Sequence, residues 1–410
     1  MILRKTPHIL IFGPILAAIA FTAPLAATAQ TSGPGPGVRP ASQLSIAETY
    51  RQDAQTFVEW INLHYAYLDR LPGKKFTLTP PLAAESAQVH DRTSLVRFME
   101  RALLTLADNH AITRTSLSDS WAVIPSYSDL WIERKQGRYI ITAVRGNSPA
   151  AAQSIKPGAE LVAVANVPMT QAVTQFWADL GIDKFDDAQA GYAARTLAAG
   201  KRRPPRILSI KQGAQPTSIT LASLYANEPR YDQHLSITQQ GGRTLIRFND
   251  SLGEQDTIAA FDAAMAAIPR NAPVTLDFTN TPGGGNSSVA RGIMGWFVRK
   301  PSPYQIHDSP REFRYTGIDR RWIEYVMPRE GKHHTGPVEV TVGRWTGSMG
   351  EGLGIGFNAL GAKVRGDPMA GLIGAVDDFV LPNSKIGFKL PTERLFAVDG
   401  TPRENFRPRP

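Results

Sequence analysis

The C-terminal part of the chain, residues 229–410, alternates between short apolar runs and helical segments rich in small residues. Val274–Phe278 and Val338–Val342 are typical of buried strands, because they are short, β-branched and bounded by turn residues. Thr257–Ile268 and Gly350–Leu360 are typical of helices that pack closely on such strands. Because strand and helix follow each other along the chain, we predict an α/β domain here.

Two regions of different pattern precede this domain. In residues 45–118 the apolar side chains recur at helical spacing, for example Phe57, Ile61 and Leu68, which predicts a small helical domain. Residues 119–228 contain short strands instead, among them Tyr139–Val144 and Glu160–Val164. The sequence therefore predicts three folded regions in this order.

The first residues have the pattern of an export signal. Arg4 and Lys5 precede a long apolar run, and Ala27-Thr28-Ala29 fits a small-residue cleavage site. We predict a signal peptide over residues 1–29 and a flexible linker over 30–44; an uncleaved membrane anchor is the alternative. The chain has no cysteine, which excludes a disulfide scaffold, a thiol nucleophile and a Cys-ligated metal site. Export without cysteine favours a bacterial periplasmic or secreted location.

Charge and histidine spacing argue against two other classes of function. The formal net charge of +9 is mild for 410 residues, and the basic clusters are short, so no nucleic-acid partner is expected. His333 and His334 are adjacent and would point apart, and no His-x-x-x-His pair exists. We expect no metal and no cofactor.

A glycine turn after the strand Val274–Phe278 is the first candidate for chemistry. Asp277 is followed by Asn280 and then by Gly283-Gly284-Gly285 at the start of a helix. Glycines let backbone N–H groups approach a ligand, and a helix N-terminus carries partial positive charge, so the turn could hold an oxyanion. A phosphate cradle and a turn required only for packing are the alternatives, although no Lys-Ser/Thr follows as in a P-loop.

A second strand, Val338–Val342, leads to a serine at another helix start. Ser348 follows Thr346-Gly347, and Glu351 comes three residues later. A helix N-terminus would stabilise a forming alkoxide on Ser348. The alternative is that Ser348 and Glu351 form an ordinary capping box.

The segment Gly146–Gly158 resembles the core of a PDZ domain. Ser148-Pro149-Ala150 matches the start of its short helix, and Pro157-Gly158 precedes the strand beginning near Leu161. The sequence departs from the family at Ala159, where PDZ domains usually have Asp, and by an insertion of roughly Asp179–Pro205. The resemblance implies a PDZ-like domain over 119–228 that binds the C-terminal end of a polypeptide along a sheet edge, or a PDZ-shaped spacer with a closed groove.

The glycine turn and the Ser348 segment together resemble the S41 family of serine peptidases, which includes the C-terminal processing, or tail-specific, proteases. Asp277 to Gly284 is a looser form of its DxRxNxGG motif, and Thr346 to Glu351 matches TxSxxE. The resemblance implies an α+β multidomain protein with an N-terminal helical region, a PDZ-like domain and an α/β catalytic domain of the ClpP/crotonase (ββα-superhelix) type. It also implies Ser348 as the nucleophile, with an oxyanion hole from the backbone N–H groups of Gly283 or Gly284 and of Met349.

The general base differs from that of the processing proteases. Leu372 stands where those enzymes have a lysine, which excludes a Ser/Lys dyad at that place. The tricorn-like branch has a histidine in LxDxHxxx instead, and Leu106-Ala107-Asp108-Asn109-His110 fits that pattern. This resemblance implies His110 as the base, with a late glutamate, Glu404 first and Glu393 second, orienting its ring.

We therefore predict an exported serine endopeptidase that cleaves polypeptides through an acyl-enzyme on Ser348. The alternative is a non-catalytic S41-like protein that binds peptide C-termini or apolar ligands, as the interphotoreceptor retinoid-binding relatives do. A weaker alternative is an acyl-CoA enzyme of the crotonase group, against which the PDZ-like string and the Ser348 motif argue.

Overall fold

The structure is a computed structural model that describes residues 44–226 and 231–409. The predicted signal peptide and positions 30–43 of the predicted linker lie outside the described residues. Within residues 44–226 and 231–409, no helix is long and apolar enough to cross a membrane.

The described helices are distributed over the whole chain. They are α1 (Ile46–His64), α2 (Pro80–Ala87), α3 (Arg92–Leu104), α4 (Pro149–Ala152), α5 (Met169–Ala178), α6 (Asp187–Ala199), α7 (Thr257–Ala266), α8 (Ser287–Met294), α9 (Pro310–Thr316) and α10 (Met349–Ala359). Short 3₁₀ turns lie at Leu68–Arg70, Pro72–Lys74, Gly295–Phe297 and Arg403–Asn405.

The described strands begin after the third helix. They are β1 (Ile112–Thr113), β2 (Leu130–Lys135), β3 (Arg138–Val144), β4 (Glu160–Val164), β5 (Val167–Pro168), β6 (Arg206–Lys211), β7 (Pro216–Leu221), β8 (Leu235–Gln240), β9 (Arg243–Phe248), β10 (Val274–Asp277), β11 (Asn280–Thr281), β12 (Ser302–Asp308), β13 (Arg321–Val326), β14 (Val338–Val342), β15 (Trp345–Thr346), β16 (Lys363–Gly366), β17 (Ala375–Val380) and β18 (Gly387–Phe396).

The N-terminal region is helical, as its periodicity predicts. Ser45 caps α1 and Asp91 caps α3, each by accepting a hydrogen bond from a first-turn backbone N–H. The apolar stripes of the two helices meet at Phe57 and Phe98, whose rings pack edge to face. Phe388 of β18 closes the same core against Phe57, so the C-terminal part of the chain completes this region.

The next region contains a sheet of antiparallel strands in the order β2-β3-β4-β6-β7, with β5 paired to β4. Ser148 caps α4 by accepting a hydrogen bond from the Ala151 N–H, as the Ser-Pro-Ala string predicts. The predicted insertion at 179–205 contains α6, whose small residues pack on β2. Both this region and the helical region pack directly on the C-terminal part of the chain, since residues Ser45–Pro410 form one compact unit.

The predicted strand–helix alternation is found in β8 to β10, β14 and β16. These strands form one sheet in the order β16-β14-β10-β9-β8, in which all neighbours are parallel except the β8–β9 hairpin. The buried strand β10 lies at its centre, and α7, α8 and α10 pack around it through residues such as Phe261, Ile293 and Leu353.

One sheet departs from the predicted alternation. Strands β1, β18, β12 and β13 lie side by side, with β17 paired to β18, and every pairing is antiparallel. Exposure alternates along the edge strand β13 (Arg321–Val326), but its residues do not alternate between polar and apolar. The sequence therefore gives no period-two signal for this strand.

Two short strand pairs bring distant loops together. β11 pairs in parallel with β15, which sets the glycine turn beside the loop that carries Ser348. β1 pairs with β18, with Ile112 opposite Lys389, which brings the end of the helical region to the same place. His110 precedes β1 by two residues, so its position follows from this pairing.

Candidate active site

Ser348 occupies a sharp bend between β15 and α10. Its backbone has φ of 51° and ψ of −111°, a conformation that costs a non-glycine residue energy and that the surrounding contacts must hold. Its N–H donates to the Glu351 carboxylate over 2.9 Å, and its side chain is half-buried. The bend therefore presents Oγ at the N-terminus of α10.

Glu351 is a buried carboxylate held by three backbone N–H groups. Besides Ser348, it accepts hydrogen bonds from Gly371 over 2.9 Å and from Leu372 over 3.1 Å. Burial raises its pKa to about 7, although the nearby Arg403 cation and these hydrogen bonds act in the opposite direction. The expected cap between Glu351 and the helix start exists, and it also ties the 371–372 loop to Ser348.

His110 lies against Ser348. Its Nε2 is 3.1 Å from Ser348 Oγ, although the two residues are 238 positions apart. Its Nδ1 is 2.9 Å from the carbonyl oxygen of Ile373, which can only accept a hydrogen bond. Nδ1 of the neutral ring therefore carries the proton, and Nε2 can accept the proton of Ser348.

The surroundings of His110 keep its imidazole uncharged. The ring is buried, and burial together with the positive charge of Arg403 lowers its pKa to about 4. The backbone N–H of His110 donates to Asp108 over 2.9 Å, and Tyr65 donates to the same carboxylate over 3.0 Å. Burial raises the pKa of Asp108 to about 7. Asp108 thus fixes the backbone of His110 rather than its ring.

The structure does not bring Glu404 onto the His110 ring. Glu404 accepts a hydrogen bond from Arg70 through Oε1, and the position on Nδ1 is taken by the Ile373 carbonyl. Glu393 lies on another histidine, His307. Sequence spacing predicts a carboxylate as the acceptor on the His110 ring, but it carries no information about backbone oxygens, and a backbone oxygen is the acceptor here.

The structure reduces the candidates for an oxyanion hole. The N–H of Gly283 donates to the Asp250 carboxylate over 2.8 Å, so it is not available to a substrate. Gly284, with φ of 61°, lies so close to Ser348 that an added Cβ would stand 2.2 Å from Ser348 Cβ. Met349 is the first residue of α10, where the backbone N–H has no partner within the helix. Gly284 and Met349 remain the candidates.

The glycine turn is anchored by side chains on both flanks. Burial would raise the pKa of Asp277, but hydrogen bonds from Thr279 and Arg247 hold it below its usual value. Asn280 accepts a hydrogen bond over 2.8 Å from Arg145, a half-buried arginine at the end of β3. These contacts fix the turn that carries Gly284 beside Ser348.

Leu372 stands where the resemblance to the processing proteases leads us to expect a lysine. Its side chain is buried and approaches Gly347, where an added Cβ would stand 3.2 Å from Leu372 Cδ1. Its backbone makes two hydrogen bonds at the site. The N–H donates to Glu351, and the carbonyl accepts from Arg403 over 2.7 Å. Sequence reasoning missed Arg403 and Ile373, because neither belongs to a recognisable motif.

A second histidine cluster lies on the sheet formed by β12, β13 and β18. His307 is hydrogen-bonded through Nδ1 to Glu393 over 2.8 Å and through Nε2 to Glu324 over 3.0 Å. Trp322 stacks on its ring, with centroids 4.8 Å apart. Burial would lower the pKa of His307, but the two carboxylates outweigh it and raise the pKa.

Within residues 44–226 and 231–409 no group of three or more histidine, aspartate and glutamate side chains could hold a metal ion. In the His307 cluster both ring nitrogens face a carboxylate, which suits a protonated ring and not a metal ligand.

Comparison with solved structures identifies the fold. Mature CPAF aligns with a TM-score of 0.55 at 13% identity, covering 88% of this chain and 92% of that one. The photosystem II D1 C-terminal processing protease aligns with a TM-score of 0.52 at 12% identity, with coverages of 88% and 92%. Structures of S41 family peptidases are thus neighbours of this chain, and at these identities the likeness shows a shared fold.

The other comparisons add no closer relation. The tricorn protease aligns with a TM-score of 0.37 at 13% identity, covering 85% of this chain and 32% of that one, which carries no argument for a tricorn-like arrangement. No family model and no curated protein sequence matches the chain.

Proposed function

We propose that this chain uses the fold it shares with S41 peptidases for their reaction, and that it is a serine endopeptidase that cleaves polypeptides. The observation that supports the proposal is the 3.1 Å contact between His110 Nε2 and Ser348 Oγ. The two residues come from distant parts of the chain, and a folded protein has no need of this contact for its core. The neighbouring structures support a polypeptide as the substrate class.

In the proposed mechanism, neutral His110 accepts the Ser348 proton as Oγ attacks the scissile carbonyl carbon. The carbonyl oxygen becomes an oxyanion, which the N–H groups of Gly284 and Met349 bind at the positive end of α10. The imidazolium then donates its proton to the leaving amine, and the peptide C–N bond breaks to give an acyl-enzyme on Ser348. Water hydrolyses this ester with His110 again acting as the base.

The region over residues 119–228 is proposed to present substrate as a PDZ-like domain. Its antiparallel sheet and the Ser148-capped α4 support that assignment, and a polypeptide C-terminus would bind along a sheet edge. We also propose an exported, periplasmic or secreted location, on the pattern of residues 1–29.

One observation favours the second candidate, a non-catalytic binding protein on the same fold. His110 has no carboxylate on its ring, and its pKa of about 4 makes it a weak base. A site that keeps its geometry but lacks this support could bind peptide ends without cleaving them.

The experiment is casein hydrolysis by the purified protein beside the variants Ser348→Ala and His110→Ala. Ser218→Ala and His90→Ala serve as matched controls, because both side chains are exposed and neither is hydrogen-bonded to Ser348 or His110. A fluorophosphonate probe with mass analysis reports whether Ser348 is nucleophilic. We expect turnover and labelling in the wild type and both controls, and neither in Ser348→Ala. A wild-type protein that neither cleaves nor labels, although folded, overturns the peptidase and favours the binding protein.

A further inference from the structure

Arg403 is a buried arginine without a carboxylate partner. It lies in the 3₁₀ turn Arg403–Asn405, is 2% exposed, and forms no salt bridge within the part of the chain that the structure describes. Burying an unpaired guanidinium is costly, so a side chain kept in this state needs a compensating role. Its contacts indicate what that role is.

The guanidinium holds two carbonyl groups of one loop. Arg403 Nη2 donates to the Leu372 carbonyl over 2.7 Å and to the Gly374 carbonyl over 2.9 Å. The residue between them is Ile373, whose own carbonyl accepts the His110 Nδ1 proton over 2.9 Å. Arg403 therefore fixes the peptide groups on both sides of the one that binds the imidazole.

The loop has little freedom to take another path. Gly374 has φ of 67°, and an added Cβ there would stand 2.3 Å from the Glu393 carbonyl oxygen. On the other flank, the Leu372 N–H is bound by Glu351, which also binds the Ser348 N–H. The acceptor for His110 is thus tied to the nucleophile loop through Glu351 and to the C-terminal segment through Arg403.

We propose that Arg403 is a positioning residue that supplies, through the Ile373 carbonyl, the ring orientation that a carboxylate supplies in a Ser-His-Asp triad. It keeps the proton on Nδ1 and leaves Nε2 facing Ser348 Oγ. This inference rests on the proposed peptidase for its kinetic consequences, but the orientation of the ring can be measured without catalysis.

The charge of Arg403 has a second effect on the same ring. Burial of the ring is the largest cause that lowers the pKa of His110, and the positive charge of Arg403 is the next. Lys389 on β18 acts in the same direction. The other charged groups around the ring are Asp108, which binds its backbone, and Glu351 on the Ser348 side. Removing the cation therefore raises the pKa of His110, whereas a lysine at this position retains most of the charge.

The test compares Arg403→Gln, Arg403→Lys and the control Arg407→Gln, which alters an exposed arginine four residues away. The readouts are the tautomer of His110 by ¹⁵N-histidine NMR, assigned with His110→Gln, and kcat, KM and the pH profile of kcat/KM for casein or a peptide derived from it. Thermal unfolding by circular dichroism checks that each variant is folded.

In Arg403→Gln we expect a mixture of His110 tautomers and a fall in kcat of about tenfold to a hundredfold, with KM within about twofold of the wild type. We also expect the acid limb of the kcat/KM profile to move to higher pH. In Arg403→Lys we expect the acid limb to stay and kcat to fall, because the ammonium of this shorter side chain cannot hold both carbonyls in the same geometry. Arg407→Gln should match the wild type.

A folded Arg403→Gln protein with one unchanged tautomer and an unchanged kcat overturns the inference. Should that variant not fold, Arg403→Lys decides it, since an unchanged kcat and tautomer there contradict a positioning role. Absence of turnover and of labelling in the wild type overturns the peptidase alone, because the tautomer of His110 still tests Arg403.

Discussion

His110 and His307 are both buried, but their partners are opposite in kind. His110 faces a carbonyl oxygen and a hydroxyl, with an arginine nearby, and its pKa falls to about 4. His307 lies between two carboxylates, and its pKa rises although burial acts against it. A carbonyl that accepts a hydrogen bond stabilises the charged ring less than a carboxylate does, so at His110 burial and the Arg403 cation prevail.

The difference assigns the two rings to different tasks. A neutral imidazole can accept a proton from a neighbouring hydroxyl, so His110 is suited to act as a base. A protonated imidazole that donates to Glu324 and Glu393 has no free electron pair, so His307 is suited to joining β12 to β13 and β18. Histidine alone does not mark a catalytic site; what its ring nitrogens contact does.

The largest expected effect is a difference in activity between the variants of His110 and His307. His110→Ala should lower kcat/KM for casein by about a thousandfold or more, because the attacking serine loses its base. His307→Ala should stay within about threefold of the wild type, since its ring does not touch Ser348. Equal losses in the two variants would remove the functional distinction between them.

The second prediction is that His307 matters for stability. His307→Ala should lower the free energy of unfolding by about 2 kcal/mol, because Glu324 and Glu393 lose the cation between them. Urea unfolding followed by circular dichroism measures this change, with the exposed His90→Ala as a control expected within about 0.5 kcal/mol. A His307→Ala midpoint equal to that of His90→Ala contradicts a structural role.

The third prediction concerns the pH dependence of that stabilisation. The pKa of His307 is raised in the folded state, so its contribution is complete below the unfolded value and is lost as the pH rises through the folded value. The difference in unfolding free energy between wild type and His307→Ala should therefore be larger at pH 6 than at pH 9. A difference that grows towards pH 9 would mean that His307 is neutral in the folded protein.

The smallest expected change is in the activity of the wild type between pH 7 and pH 5. Because the pKa of His110 is about 4, most rings stay neutral at pH 5, so protonation of His110 by itself should lower kcat/KM by less than twofold. An imidazole with an ordinary pKa would lose about twenty-fivefold over the same interval. Initial rates at the two pH values, with stability checked at each, distinguish the two cases.

The sequence was most informative where local pattern and local chemistry coincide. Glu160–Val164 and Val338–Val342 are strands with the predicted bounds, and Ser148 caps the predicted helix. The residues His110 and Ser348 were singled out by motif, and the structure brings their side chains together. Motifs record which residue types a reaction needs, so they locate side chains that act directly.

The sequence could not predict hydrogen bonds that are made by backbone groups. The Ile373 carbonyl has no side-chain signature, and the role of Arg403 depends on a loop 30 residues earlier in the chain. Gly283 and Gly284 are indistinguishable as letters, but only the N–H of Gly283 is bound by Asp250. The antiparallel sheet of β12, β13 and β18 was missed because β13 lacks a period-two pattern and β18 pairs with strands far from it in sequence.

The pairing of β1 with β18 bears on the order in which the molecule can assemble. During translation His110 is made well before Ser348, β18 and Arg403. A chain that does not yet include β18 therefore lacks the strand that holds β1, and the contact between imidazole and hydroxyl forms only once β18 is paired.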